Sequence, residues 1–337
     1  MTGSTPSSDF PHRIERTEPP LEESQKEQFV ELWEGIFETS YDFLENTLIG
    51  AEAKFNSDLF YSISPDGETA ATSHVTVARR DPEIGGLGEV ATATRHRRQG
   101  MAAAACERAL QDFMENGGEA LFLGTGNPDA ARVYHRLGWR KLCGSNAMVA
   151  LSRGQSPEEY LVDYFRGGQP GEIQPASPEV RVAMIPLIHT PHDWKILDAN
   201  VGIHSNRYQV QPSVMGLYPR YESLLSTGGT WFELRCDRGR TVGLASARMA
   251  DGGVCRIDGF IHPRYLEGWP ELMDRACRWG SERGAGASEA AVCIEDEEKM
   301  EAFRRLGFGM DRRPGPEMAV CDRAVASLIL RKETETG

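Results

Sequence analysis

A mixed α/β fold in two domains is the architecture this chain predicts, on three observations. Its 337 residues are too many for one ordinary core. Between Glu89 and Trp139 strand, helix, strand and helix patterns alternate, which makes a βαβ unit and at least one parallel strand pair. The second half then repeats this stretch weakly. Gly85-Gly86-Leu87 is echoed by Gly252-Gly253-Val254 at an offset of 252 − 85 = 167, and the segment ending Leu137-Gly138-Trp139 by one ending Leu306-Gly307-Phe308 at 307 − 138 = 169. Near-equal offsets over two elements predict a duplicated domain.

The elements follow in order. Residues 1–11, rich in Ser, Thr and Gly, read as a disordered tail. Phe29, Leu32, Trp33, Ile36 and Phe37 recur at helical spacing, so a helix covers roughly 22–38. Leu59 to Ile63 and Ala70 to Ala78 flank Ser64-Pro65-Asp66-Gly67-Glu68, a hairpin with a tight turn. Gly85-Gly86 leads into a strand from Leu87 to Thr92. Ala102, Cys106, Ala109, Leu110 and Phe113 fall on one helical stripe, which Gly117-Gly118 stops. Ala120 to Leu123 is a short buried strand. Asn127 caps the next helix, with Pro128 at its first position, and that helix ends at Gly138. Residues 152–179 are rich in Gly, Pro, Ser and Glu and read as a linker, with a short helix around Glu158 to Phe165. Trp231 to Met249, turning at Cys236-Asp237-Arg238-Gly239-Arg240, is the second half's hairpin.

Composition narrows the function. Apolar residues make up 40% and charged residues 26%, as in a water-soluble globular protein. Lys plus Arg is 37 against 50 for Asp plus Glu, a net charge of −13 that repels nucleic acid and anionic membrane, so neither is expected as a partner. Seven scattered cysteines without a Cys-x-x-Cys read as free thiols in a reducing compartment. The polar start and the lack of a long apolar run make a cytoplasmic location the default. No metal is expected, because His189 and His192 have no partner at ligand spacing. Gly124-Thr125-Gly126 is not a dinucleotide fingerprint, since Asp129 stands at its sixth position.

Inside this acidic chain, Arg95-His96-Arg97-Arg98 is a local basic run, followed by Gln99, Gly100 and an apolar helix. A turn that opens directly into a helix leaves backbone N–H groups unpaired, at the positive end of the helix dipole. That combination is an anion site, and Gly100, having no Cβ, lets backbone approach it closely.

Two motifs here resemble the GNAT superfamily of acyl-CoA-dependent N-acetyltransferases. Arg97-x-x-Gly100-x-Ala102, preceded by Val90-Ala91-Thr92, resembles one family signature. Asn127, Ala130, Tyr134, Gly138 and Trp139 stand at the spacing of the other. The match covers roughly residues 55–145. The sequence departs from the family at Thr94, where a proline is usual, and at Gly86, where many members carry an acid; the nearest carboxylate is Glu89. Glu89 differs from residue 86 in parity, and only a bulge would bring it to the same face. In the second half Pro263 starts the corresponding turn, no Arg-x-x-Gly-x-Ala follows, and Phe303 takes the tyrosine's place.

The resemblance implies two GNAT-like domains, each a mixed, mostly antiparallel twisted sheet with a central parallel βαβ unit flanked by helices. The expected boundaries are a catalytic domain over 12–151 and a degenerate copy over 180–331. It further implies acetyl-CoA as co-substrate, held by Val90, Ala91 and Thr92 along the pantetheine, by Arg97, Arg98, Gln99, Gly100, Met101 and Ala102 at the pyrophosphate, and by Asn127 and Tyr134. Tyr134 would protonate the departing thiolate, and Glu89 or His74 would deprotonate an amine of a small molecule or peptide. A monomer or homodimer is expected. Three readings stay open: an acetyltransferase, a transferase of longer acyl groups, and a non-catalytic acyl-CoA-binding or regulatory protein. The polar-aromatic run His192, Trp194, Asp198, Asn200 and His204 is read by default as a surface helix start, with a substrate cleft as the alternative.

Overall fold

The computed structural model describes residues 10–210, 213–320 and 323–334; the tail over residues 1–9 and Cys321 lie outside them. The fold is mixed α/β, and the chain divides into two compact units. Unit 1 comprises residues up to Lys141, Ala147–Pro157 and the short piece Ser213–Met215; unit 2 comprises Leu142–Asn146, Glu158–Pro212 and Gly216 onward.

Unit 1 runs β1 (Glu15–Thr17), α1 (Glu23–Phe37), α2 (Glu45–Leu48), β2 (Asn56–Ile63), β3 (Ala71–Ala78), β4 (Ile84–Thr92), α3 (Met101–Glu115), β5 (Ala120–Gly124), α4 (Pro128–Arg136), β6 (Arg140–Lys141) and β7 (Ala147–Leu151). Its strands form one sheet in the order β1-β2-β3-β4-β5-β7-β6. Only β4 and β5 pair in parallel; the other neighbours are antiparallel. Alternation along the strands sorts the core to two faces. Tyr61, Val75, Leu87, Leu121 and Leu123 pack under Met101, Ala105, Ala109 and Phe113 of α3. Phe60 and Ala91 face the other way, onto Phe29 and Trp33 of α1 and Leu48 of α2. Gly85 lies inside β4 rather than ahead of it, and the reason is steric: a Cβ there would stand 2.8 Å from the Phe113 ring and 2.9 Å from Leu121.

Unit 2 runs α5 (Pro157–Tyr164), β8 (Pro170–Pro175), α6 (Val180–His189), β9 (Ile196–Asp198), β10 (Ile203–His204), α7 (Tyr218–Ser226), β11 (Thr230–Cys236), β12 (Thr241–Ala250), β13 (Val254–Ile261), α8 (Trp269–Ser281), β14 (Ala287–Cys293), α9 (Glu297–Arg305), β15 (Gly309–Pro314), β16 (Met318–Val320), β17 (Arg323–Val325) and β18 (Ser327–Glu333). The main sheet has the order β8-β11-β12-β13-β14-β18-β15, with β13 and β14 its parallel pair. Read from the same end, this is the connectivity of unit 1.

Two expectations change. Residues 152–179 are more than a connector, because β8 forms the edge of the second sheet beside β11. Pro170, Gly171 and Pro175 disguised it, and an edge strand is where prolines are tolerated. The Gly-Gly echo is also displaced. Gly252 and Gly253 turn with φ of 80° and 68° ahead of β13, whereas Val254, which opens the parallel pairing with Ala287, is the counterpart of Ile84, which opens it with Ala120.

Candidate active site

The mouth of α3 is the first half of the site. Gly100 caps the helix at φ 79°, a left-handed conformation that suits glycine, and Arg98 precedes it at φ 63°. From Arg98 to Ala103 no backbone N–H makes a hydrogen bond among the described residues; the first to do so is Ala104, to the Gly100 carbonyl at 2.9 Å. Arg97, Arg98, Gln99 and Gly100 are exposed, and a Cβ at Gly100 would meet nothing within 4 Å. Arg97 Nε lies 3.4 Å from the Thr92 carbonyl, while the Arg98 guanidinium has no partner among the described residues. Free donors, a helix dipole and an unpaired cation fit a diphosphate.

The second half is the opening between β4 and β5. Their ladder ends at Gly86–Phe122, so the edges beyond it, Val90, Ala91 and Thr92 included, are unpaired towards one another. Gly88 and Gly124 point to the face opposite α3. There Met215 Cγ would be 3.3 Å from a Cβ on Gly88, and Val214 N 2.7 Å from one on Gly124. The piece Ser213–Met215 therefore covers the opening on the α1 face and leaves the α3 face to the helix mouth.

On the α1 face β4 carries the bulge that parity required. Thr72 pairs with Ala91 but His74 with Gly88, so Glu89 and Val90 together oppose Ser73, and Glu89 adopts φ 49°. Thr72 Oγ1 donates to the Glu89 carbonyl at 2.7 Å and accepts from Trp33 Nε1 at 2.8 Å, which pins the bulge to α1. The result turns the Glu89 carboxylate onto His74, whose Nδ1 is 2.8 Å from Glu89 Oε2. His74 Nε2 is 2.9 Å from Asp58 Oδ1, which also accepts from Thr76 Oγ1 at 2.7 Å. The Phe60 ring stacks on the imidazole at 4.1 Å and 7°. Complete burial alone would push the His74 pKa down; hydrogen bonds and charge from Asp58 and Glu89 outweigh it and raise the pKa to about 9. His74 is thus an imidazolium at neutral pH and donates from both nitrogens. It is not a free base, and Glu89, 9% exposed at its side chain, is the carboxylate that reaches towards solvent.

Tyr134 stands apart on the α3 face, packed among Met101, Ala105 and Cys106. Asn127 Oδ1 caps α4 by accepting from Asp129 N at 2.9 Å and Ala130 N at 3.3 Å, so its side chain is occupied by the helix. Burial, and then the nearby Cys106, raise the Tyr134 pKa, so the phenol keeps its proton. Its hydroxyl has no partner among the described residues.

Sequence reasoning missed Asp58, Tyr41 and the Val214–Met215 cover. Asp58 sits one residue before the expected strand start, and the hairpin register that sets it opposite Thr76 was its only signal. Tyr41 is buried against Trp33, at 5.1 Å between ring centroids; burial, and then the charge of Glu89, raise its pKa. Half-exposed Phe37 and Phe43 flank it at 6.0 and 5.1 Å. In unit 2, His192, Trp194 and Asp198 are buried, so their segment is no surface helix start; Asp198 belongs to β9. Among the described residues no cluster of His, Cys, Asp and Glu could hold a metal, and no helix is long and apolar enough to cross a membrane.

No curated protein matches the chain. Similar solved structures include a phosphinothricin acetyltransferase of the GNAT superfamily from Sinorhizobium meliloti in complex with AcCoA (13% identity, 48% of this chain and 87% of that one, TM-score 0.37). Another is a spermidine N-acetyltransferase from Vibrio cholerae in complex with CoA and spermine (12% identity, 48% and 94%, TM-score 0.38). A third is an N-acetyltransferase from Staphylococcus aureus Mu50 (10% identity, 48% and 97%, TM-score 0.38). Residues 19–139, which hold α1, the bulged β4, the mouth of α3 and Tyr134, match the acetyltransferase (GNAT) family.

Proposed function

We propose that unit 1 is an acetyl-CoA-dependent N-acetyltransferase acting on an amine of a small molecule or peptide. The observation that carries this reading is the run of unpaired N–H donors from Arg98 to Ala103 beside the open edges of β4 and β5. Those donors and Arg98 hold the diphosphate, and the edge from Val90 to Thr92 holds the pantetheine arm. Acetyl-CoA supplies an acyl group activated as a thioester. Glu89 takes a proton from the acceptor ammonium, because a neutral amine is needed for attack. His74, an imidazolium clamped between two carboxylates, positions Glu89 and stabilises its charge. Tyr134, held protonated on the coenzyme side, gives a proton to the departing thiolate.

Unit 2 is read as a degenerate copy that holds no coenzyme. At its corresponding helix mouth fewer donors are available: Trp269 N donates to the Leu266 carbonyl, and Pro270 has no N–H. A cavity of about 850 Å³ there is lined by Glu297, Glu298 and Glu301 with Arg304 and Arg305, and both arginines already pair with Glu301.

The cover of Val214 and Met215 on the acceptor face favours a second reading, an acyl-CoA-binding protein without turnover. Calorimetry with acetyl-CoA on wild type and on Gly100→Glu tests the first step, with Gly100→Asn, which tolerates the left-handed backbone, as the stability control. Loss of binding in Gly100→Glu with the fold retained is expected; unchanged affinity refutes the diphosphate assignment. Thiol release with a polyamine panel then separates turnover from binding alone.

A further inference from the structure

Unit 2 contains a second cavity, of about 350 Å³, beside the point where β13 and β14 part. Arg248 of β12 and Arg256 of β13 both line it, and they are register partners directly opposite one another. Like charges opposed across an antiparallel pair destabilise a sheet unless something neutralises them. Among the described residues no carboxylate pairs with either arginine, although Arg256 is exposed and has Glu289 beside it on β14. Neither guanidinium has an ion pair among the described residues, in a chain whose net charge is −13. Arg248 is held in place, because its Nε donates to Asn200 Oδ1 at 3.2 Å while Asn200 Nδ2 donates to Ser246 Oγ at 2.9 Å. Its terminal nitrogens and the Arg256 guanidinium make no hydrogen bond or ion pair among the described residues.

Two carboxylates of the cavity wall are committed elsewhere. Asp258, buried in the cavity wall, pairs with Lys299 Nζ at 2.6 Å and accepts from Ala199 N and Gly259 N. Glu289, the ladder neighbour of Arg256, takes Arg313 at 2.5 Å and Arg331 at 2.8 Å instead. Only Glu317, exposed at the rim, lacks a cation among the described residues. Of the remaining wall, His204 is polar, and Ile196, Ile257, Ala291, Met318 and Ile329 are apolar.

We propose that this cavity binds a small organic carboxylate with an apolar tail, its carboxylate bridging Arg248 and Arg256 and its tail lying on the apolar walls. Guanidinium forks suit a carboxylate in pairs, and the volume is that of a small-ligand site. The site is independent of the coenzyme reading of unit 1.

Titration calorimetry of the full chain with sodium hexanoate tests it, with hexylamine and inorganic phosphate as comparators. One hexanoate per chain is expected, with no binding of hexylamine. Arg248→Gln and Arg256→Gln should each weaken hexanoate at least tenfold, and the double variant should abolish binding. The variants should melt no lower than wild type without ligand, since each removes one of two opposed like charges. Hexanoate should raise the melting temperature of wild type only. Absence of hexanoate binding at millimolar concentration, equal binding by the double variant, or binding of phosphate in place of hexanoate each overturns the proposal.

Discussion

If His74 is a buried imidazolium clamped by Asp58 and Glu89, unit 1 must lose stability as pH rises, and the amount follows from the pKa. A folded-state value of about 9 against 6.5 for an ordinary histidine means the folded state holds its proton more tightly. The contribution is complete below pH 6.5 and fades as pH climbs through about 9. At 1.36 kcal/mol per pKa unit, the gap corresponds to roughly 3 kcal/mol. Other groups titrate too: burial, and then Asp258, raise Asp198 from 3.8 to about 7, and that contribution from unit 2 is lost as pH rises through about 7, overlapping the lower end of the His74 window. A difference against His74→Gln removes what the two proteins share. Hydrogen exchange of the β3 amides, measured from pH 6 to 9, reports unit 1 locally. The wild type should exceed His74→Gln by roughly 3 kcal/mol more at pH 6 than at pH 9. Parallel slopes in the two proteins would show that His74 is neutral at pH 6 and that Glu89 is not held by a cation.

Further outcomes follow from the same site. Tyr134→Phe should lower turnover by roughly 10²–10⁴ while acetyl-CoA affinity, read by calorimetry, stays within about twofold; an unaltered rate removes the phenol from the proton path. Glu89→Gln should lower kcat, whereas Asp58→Asn should lower it less, by loosening the hold of His74 on Glu89. Met215→Ala should open the acceptor face and raise kcat/KM for bulky amines over small ones; loss of CoA affinity instead would place the segment on the coenzyme side. Calorimetric stoichiometry should be one acetyl-CoA per chain, and two would contradict the reading of unit 2.

The sequence disclosed the elements whose chemistry is local. Asn127 with Pro128, the stripe from Ala102 to Phe113 and the glycine at 100 each determine their own backbone, so α3 and α4 could be read from a few residues. What escaped was set by register. Glu89 belongs with His74 only because the ladder slips between Thr72 and His74, and a bulge leaves no mark in composition. Asp58 joins them only through the β2–β3 pairing. The Val214–Met215 cover is least legible of all, being three residues of unit 1 flanked on both sides by unit 2 in the sequence.

The two sheets share connectivity but have opposite chemistry at the same two places. Where β4 leaves its parallel ladder, Gly86 is the last paired residue; the corresponding last pair in unit 2 is Arg256 with Glu289. A glycine there exposes backbone, whereas Arg256 places an exposed guanidinium there. At the helix mouths the contrast reverses. Unit 1 leaves its donors free from Arg98 to Ala103, whereas in unit 2 Trp269 N donates to the Leu266 carbonyl and Pro270 has no N–H. Under the carboxylate-site proposal, the opposed Arg248 and Arg256 beside that cavity give unit 2 a ligand of its own, with charge placed where unit 1 has Gly86.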